Sequence, residues 1–285
     1  MESQRRKADA LRSLHARGDL LILPNVWNPI GARILQAKGY PAVATASAAI
    51  SASMGYEDGE KINRSTLIDL LGRIARSVDV PVTADIEAGY GESILELEET
   101  VRQVIECGVA GVNIEDSLEE GCPLRPVEEQ CRRISAVRRV AEDQGLHLVV
   151  NARVDSYLSS SFPNHEDATE EAVRRAKAYS EAGADCIYPI GPGDEETVRA
   201  LRNRIESPIN ILATPGAASL SFMRKVGVNR VSFGPFVFRS CLKRFADIAA
   251  DLKNLEDCSF FNDMLSSAET GEYLIAGHEA EKESG

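Results

Sequence analysis

Short apolar runs rich in β-branched residues alternate along the chain with longer segments in which apolar positions recur every three or four residues. The short runs are continuous rather than alternating, which is typical of parallel strands covered on both faces. They predict eight strands, at residues 20–26, 42–47, 81–87, 111–116, 148–155, 186–191, 208–213 and 230–234. The periodic segments predict helices, among them residues 94–107, 127–141, 168–182, 195–204 and 236–252.

Eight successive strand–helix units without a linker indicate an α/β protein with a (β/α)8 TIM barrel. An open doubly wound sheet is the alternative, but it would need a glycine fingerprint, and neither GxGxxG nor GxxxxGK[ST] occurs. We expect residues 1–285 to form one domain, with the barrel core at about residues 20–250. Residues 13–19 would cap the barrel floor, and residues 254–285 would form a helical extension that docks on this barrel or on a neighbouring subunit.

The composition is that of a globular protein, since 44% of the 285 residues are hydrophobic and 27% are charged. The net charge of −12 argues against nucleic-acid and anionic membrane partners, which require a basic surface. The chain starts without an apolar signal segment and has no apolar run long enough to span a membrane. The six cysteines lack CxxC spacing, which fits a reducing compartment. We therefore expect a cytoplasmic enzyme or small-molecule binder.

Functional residues of barrels lie at the carboxyl ends of the strands, and several predicted strands end in acids. Asp85 and Glu87, in TADIEAGYG, are two residues apart, so the predicted strand would point both to the same face. Glu115, in GVNIED, ends the neighbouring strand. Converging carboxylates without a neighbouring lysine or histidine suit a hard divalent ion, Mg²⁺ first and Mn²⁺ second. The alternative is that these acids cap helices or pair with arginines.

Three further residues lie near the same predicted edge. Arg153, in VVNARVD, could bind a substrate carboxylate or a developing enolate oxygen, or pair structurally with Asp155 or Glu115. Ser47 lies in TASAA, where small residues would let backbone N–H groups approach an anion, although a plain tight turn explains the segment equally well. Asp58, in MGYEDGE, could sit on a mobile lid or be an ordinary solvated turn residue.

The sequence resembles the isocitrate lyase/phosphoenolpyruvate mutase superfamily over roughly residues 20–250. The matching pieces are LPNVWNPIGARILQAKGYPAVATASAA, MGYEDGE, TADIEAGYG, GVNIEDS, VVNARVD, PINILA and RVSFGP, of which TADIEAGYG and NIEDS are the most specific. The resemblance implies Mg²⁺-dependent chemistry on small 2-oxo or 2-hydroxy carboxylates. It also implies a barrel whose last helix is exchanged with a partner subunit, usually in a dimer of dimers.

By position, the resemblance also implies roles for individual residues. The metal ligands would be Asp85, Glu87 and Glu115, and the catalytic residues would be Asp58, Arg153 and Glu115. The substrate-binding residues would be Trp27, Ala46, Ser47, Ala48, Asp85, Arg153 and Asn210.

Departures from the family pattern bear on the reaction. Lyases of the superfamily carry a Lys-(Lys/Arg)-Cys-Gly-His loop whose cysteine donates a proton, and the equivalent stretch here is EDSLEEGCPLRP. Cys122 lacks the basic neighbours that would activate it. Decarboxylation of a 2-oxo acid such as oxaloacetate needs no such acid during bond cleavage, so it is favoured over cleavage of a 2-hydroxy tricarboxylate such as methylisocitrate. Phosphorus–carbon bond chemistry on a phosphonate, and a non-catalytic dicarboxylate-binding barrel, are the alternatives.

Overall fold

A closed barrel of parallel strands forms the centre of the protein. The computed structural model describes residues 2–16, 18–117, 122–254 and 258–274. The strands are β1 (Leu21–Leu23), β2 (Asn25–Val26), β3 (Val43–Thr45), β4 (Val82–Asp85), β5 (Gly111–Glu115), β6 (Val149–Val154), β7 (Cys186–Pro189), β8 (Asn210–Leu212) and β9 (Arg230–Ser232). Strands β2 to β7 pair in chain order, β8 pairs with β9, and β9 pairs with β1. A bridge between Ile187 and Ile209 joins β7 to β8, which closes the circle.

The predicted α/β barrel is confirmed, and each observed strand lies within a predicted one. The first predicted strand is divided at Pro24, which has no backbone N–H to donate to a ladder. On one side of the proline β1 pairs with β9, and on the other β2 pairs with β3. The two short strands therefore fill a single strand position.

The helices surround the barrel, and the predicted ones are present to within a few residues at their ends. They are α1 (Glu2–Ala16), α2 (Pro29–Ala37), α3 (Ser47–Ser53), α4 (Arg64–Arg76), α5 (Ile94–Glu106), α6 (Val127–Asp143), α7 (His165–Glu181), α8 (Glu195–Arg204), α9 (Leu220–Val226), α10 (Phe236–Lys253) and α11 (Ser267–Glu272). None of the helices within the described ranges is long and apolar enough to cross a membrane.

Helix α1 covers the barrel floor and begins well before the segment 13–19 that the sequence predicts as the cap. Ala8 and Leu11 are fully buried, and Leu11 packs against Gly111 at the start of β5. The apolar positions of α1 are few and stand among charged residues, so the periodicity that would reveal the whole helix is weak. Residues 13–16 are only its last turn.

Helix α10 stands away from the barrel beyond its first turn. Phe238 is its buried residue, whereas Leu242, Phe245 and Leu252 are 48%, 70% and 44% exposed. The extension that follows returns to its own barrel, because Arg33 Nε of α2 donates a hydrogen bond of 2.8 Å to the carbonyl of Tyr273. The rest of the predicted extension, residues 275–285, lies outside the described residues.

Candidate active site

The predicted acids gather at one mouth of the barrel, where the carboxyl ends of the strands meet. Asp85 ends β4 and Glu115 ends β5. Asp58, on the loop between α3 and α4, lies close to both Asp85 and Arg153, and partial burial followed by the charge of Asp85 raises the pKa of Asp58. Glu87 lies beyond the end of β4 with a φ of 52°, so strand alternation does not orient its side chain as predicted.

Asp85 is held by two neighbouring side chains and two backbone groups, one of which is the Glu87 N–H at 3.4 Å from Oδ1. Its Oδ2 accepts hydrogen bonds from the backbone N–H of Ser47 at 3.0 Å and from the Ser47 hydroxyl at 2.8 Å, and its Oδ1 accepts from Asn113 Nδ2 at 2.8 Å. The small residues of this turn thus do let a backbone N–H reach a carboxylate, here that of Asp85. Ala46 is the N-cap of α3, and Ala48 lies in its first turn. Substrate binding by this turn stays a prediction.

Glu87 ties together two loops at the mouth. Its Oε2 accepts from the backbone N–H groups of Gly59 at 2.8 Å and Glu60 at 2.5 Å, and its Oε1 accepts from the Tyr90 hydroxyl at 2.8 Å. In return, the Tyr90 backbone N–H donates to Glu60 Oε1 at 2.7 Å. Burial, followed by the negative charge of Asp58, raises the pKa of Glu87 to about 7. The loop that carries Asp58 is therefore fastened to the loop that follows β4.

Arg153 is clamped between two carboxylates. Its Nε and Nη2 donate to Oδ1 and Oδ2 of Asp155 at 2.7 and 2.8 Å, and its Nη1 lies 2.5 Å from Glu115 Oε2. Although burial opposes the charge, Asp155 and Glu115 raise the pKa of Arg153 above its ordinary value, so it remains a cation. The hydrogen bonds to Asp155 use two of the five guanidinium N–H groups and the contact with Glu115 is an ion pair, so N–H groups remain for another ligand.

A buried network lies behind the arginine clamp. Asp116 Oδ1 accepts a hydrogen bond of 3.0 Å from the backbone N–H of Asp155, while its Oδ2 accepts from Arg175 Nη1 at 3.0 Å and from the Tyr179 hydroxyl at 2.7 Å. Burial, followed by the negative charge of Asp155, raises the pKa of Asp116 to about 6. Two side chains of α7 thereby fix the backbone at the end of β6.

Trp27 and Asn210, both predicted to bind substrate, have different surroundings. The half-buried Trp27 packs edge-on against Phe238 at the base of α10, with ring centroids 5.0 Å apart. Asn210 is fully buried, and its Nδ2 donates to Ser232 Oγ at 3.0 Å while the Ser232 hydroxyl donates to Asn210 Oδ1 at 3.1 Å. The Asn210 side chain is thus bound to β9, and both substrate roles stay predictions.

The chemistry of the acids suits a divalent cation. Burial and mutual repulsion raise the pKa values of Asp58, Glu87 and Glu115, with Asp85 contributing to all three, and a bound cation would relieve that repulsion. In the part of the chain that the structure describes, no three or more His, Cys, Asp or Glu side chains form a ready-made metal site. Mg²⁺ takes one or two protein carboxylates and keeps several waters, so Asp85 with one further acid is a sufficient donor set.

Sequence reasoning missed several residues that shape this site. Glu60 and Tyr90 lie inside MGYEDGE and TADIEAGYG, but neither motif assigns them a contact. Asn113 could have been found, because it stands opposite Asp85 in the β4–β5 register. Arg133, on α6, reaches the loop after β4 from outside the barrel, and no local pattern in its own helix signals that contact.

The barrel, with its acids and clamped arginine at the mouth, has counterparts among known enzymes. The profile of the family described as phosphoenolpyruvate phosphomutase matches residues 11–253. A solved structure from Burkholderia cenocepacia is 34% identical, covers 87% of this chain and 99% of that one, and superimposes with a TM-score of 0.82. The chain belongs to the phosphoenolpyruvate phosphomutase family, within the isocitrate lyase/phosphoenolpyruvate mutase superfamily.

Named relatives cover most of the chain. The 2-methylisocitrate lyase of Aeropyrum pernix is 29% identical over an alignment of 283 positions, gaps included, that covers 95% of this chain and 88% of the relative. Oxaloacetate decarboxylase 1 of Pseudomonas putida is 28% identical over an alignment of 247 positions, gaps included, that covers 84% of this chain and 82% of the relative. A solved phosphonopyruvate hydrolase in complex with oxalate and Mg²⁺ shares the fold, with 24% identity, 97% coverage of each chain and a TM-score of 0.82. The named relatives in sequence therefore include a lyase and a decarboxylase.

Proposed function

We propose that this protein is a Mg²⁺-dependent lyase that cleaves a carbon–carbon bond of a small 2-oxo or 2-hydroxy di- or tricarboxylate, preferably by decarboxylation of a compound such as oxaloacetate. One observation carries the proposal: a group of acids faces the clamped Arg153 at the barrel mouth. The relatives named 2-methylisocitrate lyase and oxaloacetate decarboxylase support this substrate class. The solved relative with oxalate and Mg²⁺ supports the ion.

Each group at the mouth has a distinct part in this proposal. Asp85, Glu87 and Glu115 would hold Mg²⁺ directly or through water, and the ion would polarise substrate oxygens as a Lewis acid. The remaining N–H groups of Arg153 would bind a substrate oxygen and stabilise the negative charge that grows on it as the bond breaks. Asp58, on the loop fastened to Glu87, helps to close the site against water.

The preference for decarboxylation rests on the loop after β5. Cys122 is the only residue there of the kind that donates a proton in superfamily lyases, and its sequence neighbours, EEG before it and PLR after it, include no histidine and no lysine. Residues 118–121 lie outside the described ones, and the Cys122 carbonyl accepts a hydrogen bond of 2.9 Å from Ser159. Decarboxylation leaves an enolate that water protonates later, so it requires no activated cysteine.

Phosphorus–carbon bond chemistry on a phosphonate is the second candidate, and the description of the matching family favours it. A substrate panel separates the two. Pyruvate release with Mg²⁺ would be measured from oxaloacetate, methylisocitrate, alkylmalates and phosphonopyruvate, with phosphorus NMR on the last. We expect fastest turnover of oxaloacetate and loss of turnover with EDTA. Faster phosphonate turnover would establish the second candidate, and Mg²⁺–oxalate binding without any turnover would indicate a non-catalytic barrel.

A pair of variants tests the metal assignment. Asp85→Asn should lower kcat/KM at least about a hundredfold, since it removes a carboxylate that would hold the Mg²⁺ ion, and with the ion much of the stabilisation of the growing negative charge. Asp185→Asn is the matched control, because Asp185 is a partly buried carboxylate at the floor that pairs with Arg138 at 2.6 Å. Full metal-dependent turnover by Asp85→Asn would sink the assignment.

We also propose that α10 packs against a second copy of the chain, in a dimer or a dimer of dimers. The support is the exposed apolar face of α10, which includes Leu242, Phe245 and Leu252. Phe245→Asp should shift the protein toward monomers in light scattering, whereas Lys243→Asp, on the polar side of the same helix, should leave the oligomer intact. An unchanged mass for Phe245→Asp would contradict this.

A further inference from the structure

The segment from Glu87 to Glu92 holds an unfavourable backbone conformation. Glu87 and Tyr90 have φ angles of 52° and 55°, and Gly89 between them has 106°. A side chain other than glycine costs roughly 1 kcal/mol or more in this left-handed region. Such a segment keeps its shape only if other groups hold it.

Arg133 supplies those contacts from helix α6. Its Nη2 donates to the carbonyls of Ala88 at 2.5 Å and Gly91 at 2.9 Å, and its Nη1 donates to the carbonyl of Glu92 at 3.0 Å. The side chain is fully buried, and none of these partners is a carboxylate. Burial lowers the pKa of Arg133 to about 10, yet the guanidinium stays charged at neutral pH. A buried cation that binds three carbonyls of one loop is costly to maintain for packing alone.

We infer that Arg133 is a positioning residue: by holding the carbonyls of residues 88, 91 and 92, it fixes the turn that aims the Glu87 carboxylate at the barrel mouth. The effect of Arg133 on Mg²⁺ binding rests on the proposed function, in which Glu87 helps to hold the ion. The effect of Arg133 on the conformation of the turn does not depend on the metal. The hydrogen bonds of Arg133 go to backbone carbonyls and to none of the acids, so it acts through Glu87.

The same helix offers a comparison one and a half turns further on. Arg138 Nη1 donates to the carbonyl of Leu148 at 2.9 Å, and its Nη2 donates to the carbonyl of Gly183 at 2.7 Å and to Asp185 at 2.6 Å. These contacts lie at the floor, before β6 and β7. Arg138 therefore performs a similar bonding task away from the acids, which makes it a matched control.

The experiment compares Arg133→Met, Arg133→Lys and Arg138→Met with the unaltered full chain. Mg²⁺ affinity is measured by titration calorimetry, and hydrogen exchange is followed at the Gly89 and Tyr90 amides, which now bond to the Ile86 carbonyl at 2.8 Å and to Glu60 Oε1 at 2.7 Å. Arg133→Met should weaken Mg²⁺ binding about 10- to 100-fold, as loss of an outer-shell partner does, and should speed exchange of both amides. Arg133→Lys should recover part of both effects. Arg138→Met should lower the Tm without changing either.

Two results would overturn the inference. One is an unchanged rate of amide hydrogen exchange at Gly89 and Tyr90 in both Arg133→Met and Arg133→Lys. If Arg133→Met does not fold, the rate in Arg133→Lys alone decides. The other is equal loss of Mg²⁺ affinity in Arg138→Met, which would show a general effect of stability. Glu87→Gln separates this inference from the proposed function. If Glu87→Gln leaves Mg²⁺ affinity unchanged while Arg133→Met still frees the two amides, the metal assignment fails and the positioning role stands.

Discussion

The mouth and the floor of the barrel differ in how their charges and backbone are satisfied. At the mouth, like charges lie together, and their burial and repulsion raise the pKa of Glu87 to about 7. Glu60, Glu87 and Tyr90, the non-glycine residues with positive φ among those described, also lie there, in two loops bonded to each other. The mouth therefore holds both electrostatic and backbone strain.

The floor holds less strain of this kind, although His15 is buried there close to the positive charge of Arg230. Leu11 of α1 is fully buried against the strand starts, and the charge of Asp185 is matched by Arg138 and by a hydrogen bond to His147, each at 2.6 Å. Strain that persists in a folded protein tends to mark a functional site, and the rest of the fold must offset its cost. The difference predicts that changes at the mouth alter chemistry and charge balance, whereas changes at the floor alter stability alone.

The largest expected effect comes from removing the cation at the mouth. Arg153→Met leaves Glu115 and Asp155 buried without their partner, so we expect the free energy of unfolding to fall by about 4 kcal/mol, together with loss of turnover. Urea denaturation measures the first and pyruvate release the second. The double variant Glu115→Gln/Arg153→Met should recover part of the stability but no activity. A loss below about 1 kcal/mol in the single variant would show that the clamp is not a tightly coupled unit.

At the floor, Leu11→Ala should cost about 3 kcal/mol, because it opens a cavity beside Gly111 that the strand backbone cannot fill. The kcat/KM of the folded variant should be unchanged. Leu14→Ala, at a half-buried position of the same helix, provides the control and should cost clearly less. A large fall in kcat/KM for Leu11→Ala would show that changes at the floor of the barrel also alter the chemistry at the mouth.

The sequence predicts the fold better than it predicts the site. Eight apolar runs locate eight strands because a parallel barrel buries both faces of each strand. Asp85 and Glu115 were expected at the mouth because they end neighbouring strands, and they lie there. The orientation of Glu87 was not predictable, since it depends on a positive φ that strand alternation does not allow. The support from Arg133 arises from a helix more than forty residues away in the chain, and such contacts have no local signal.

His15 provides a prediction with a definite pH dependence. Burial, followed by the positive charge of Arg230, lowers the pKa of His15 from 6.5 to about 4, against smaller opposing effects of the Leu11 carbonyl and Asp185. The unfolded chain binds the His15 proton more tightly than the folded protein does, so protonation favours unfolding. The free energy of unfolding therefore has its full value above pH 6.5 and decreases as the pH falls toward 4. The decrease amounts to at most about 3 kcal/mol. Urea denaturation at several pH values between 7.5 and 4.5 should show that the free energy of unfolding depends less on pH in His15→Gln than in the unaltered protein. An equal pH dependence in both proteins would contradict an origin in His15.

The smallest expected effect comes from a side-chain hydrogen bond within the loop that follows β4. Tyr90→Phe removes the hydroxyl that donates to Glu87 Oε1, so the free energy of unfolding should fall by about 1 kcal/mol and kcat/KM several-fold, since Glu87 loses a bond that favours its charged form. Tyr157→Phe is the control, because its hydroxyl shares a hydrogen bond of 2.9 Å with Thr169 and contacts none of the acids. The control should lose similar stability but keep its kcat/KM. Equal kcat/KM for both variants would mean that the bond to Tyr90 serves the fold of the loop and not the chemistry of Glu87.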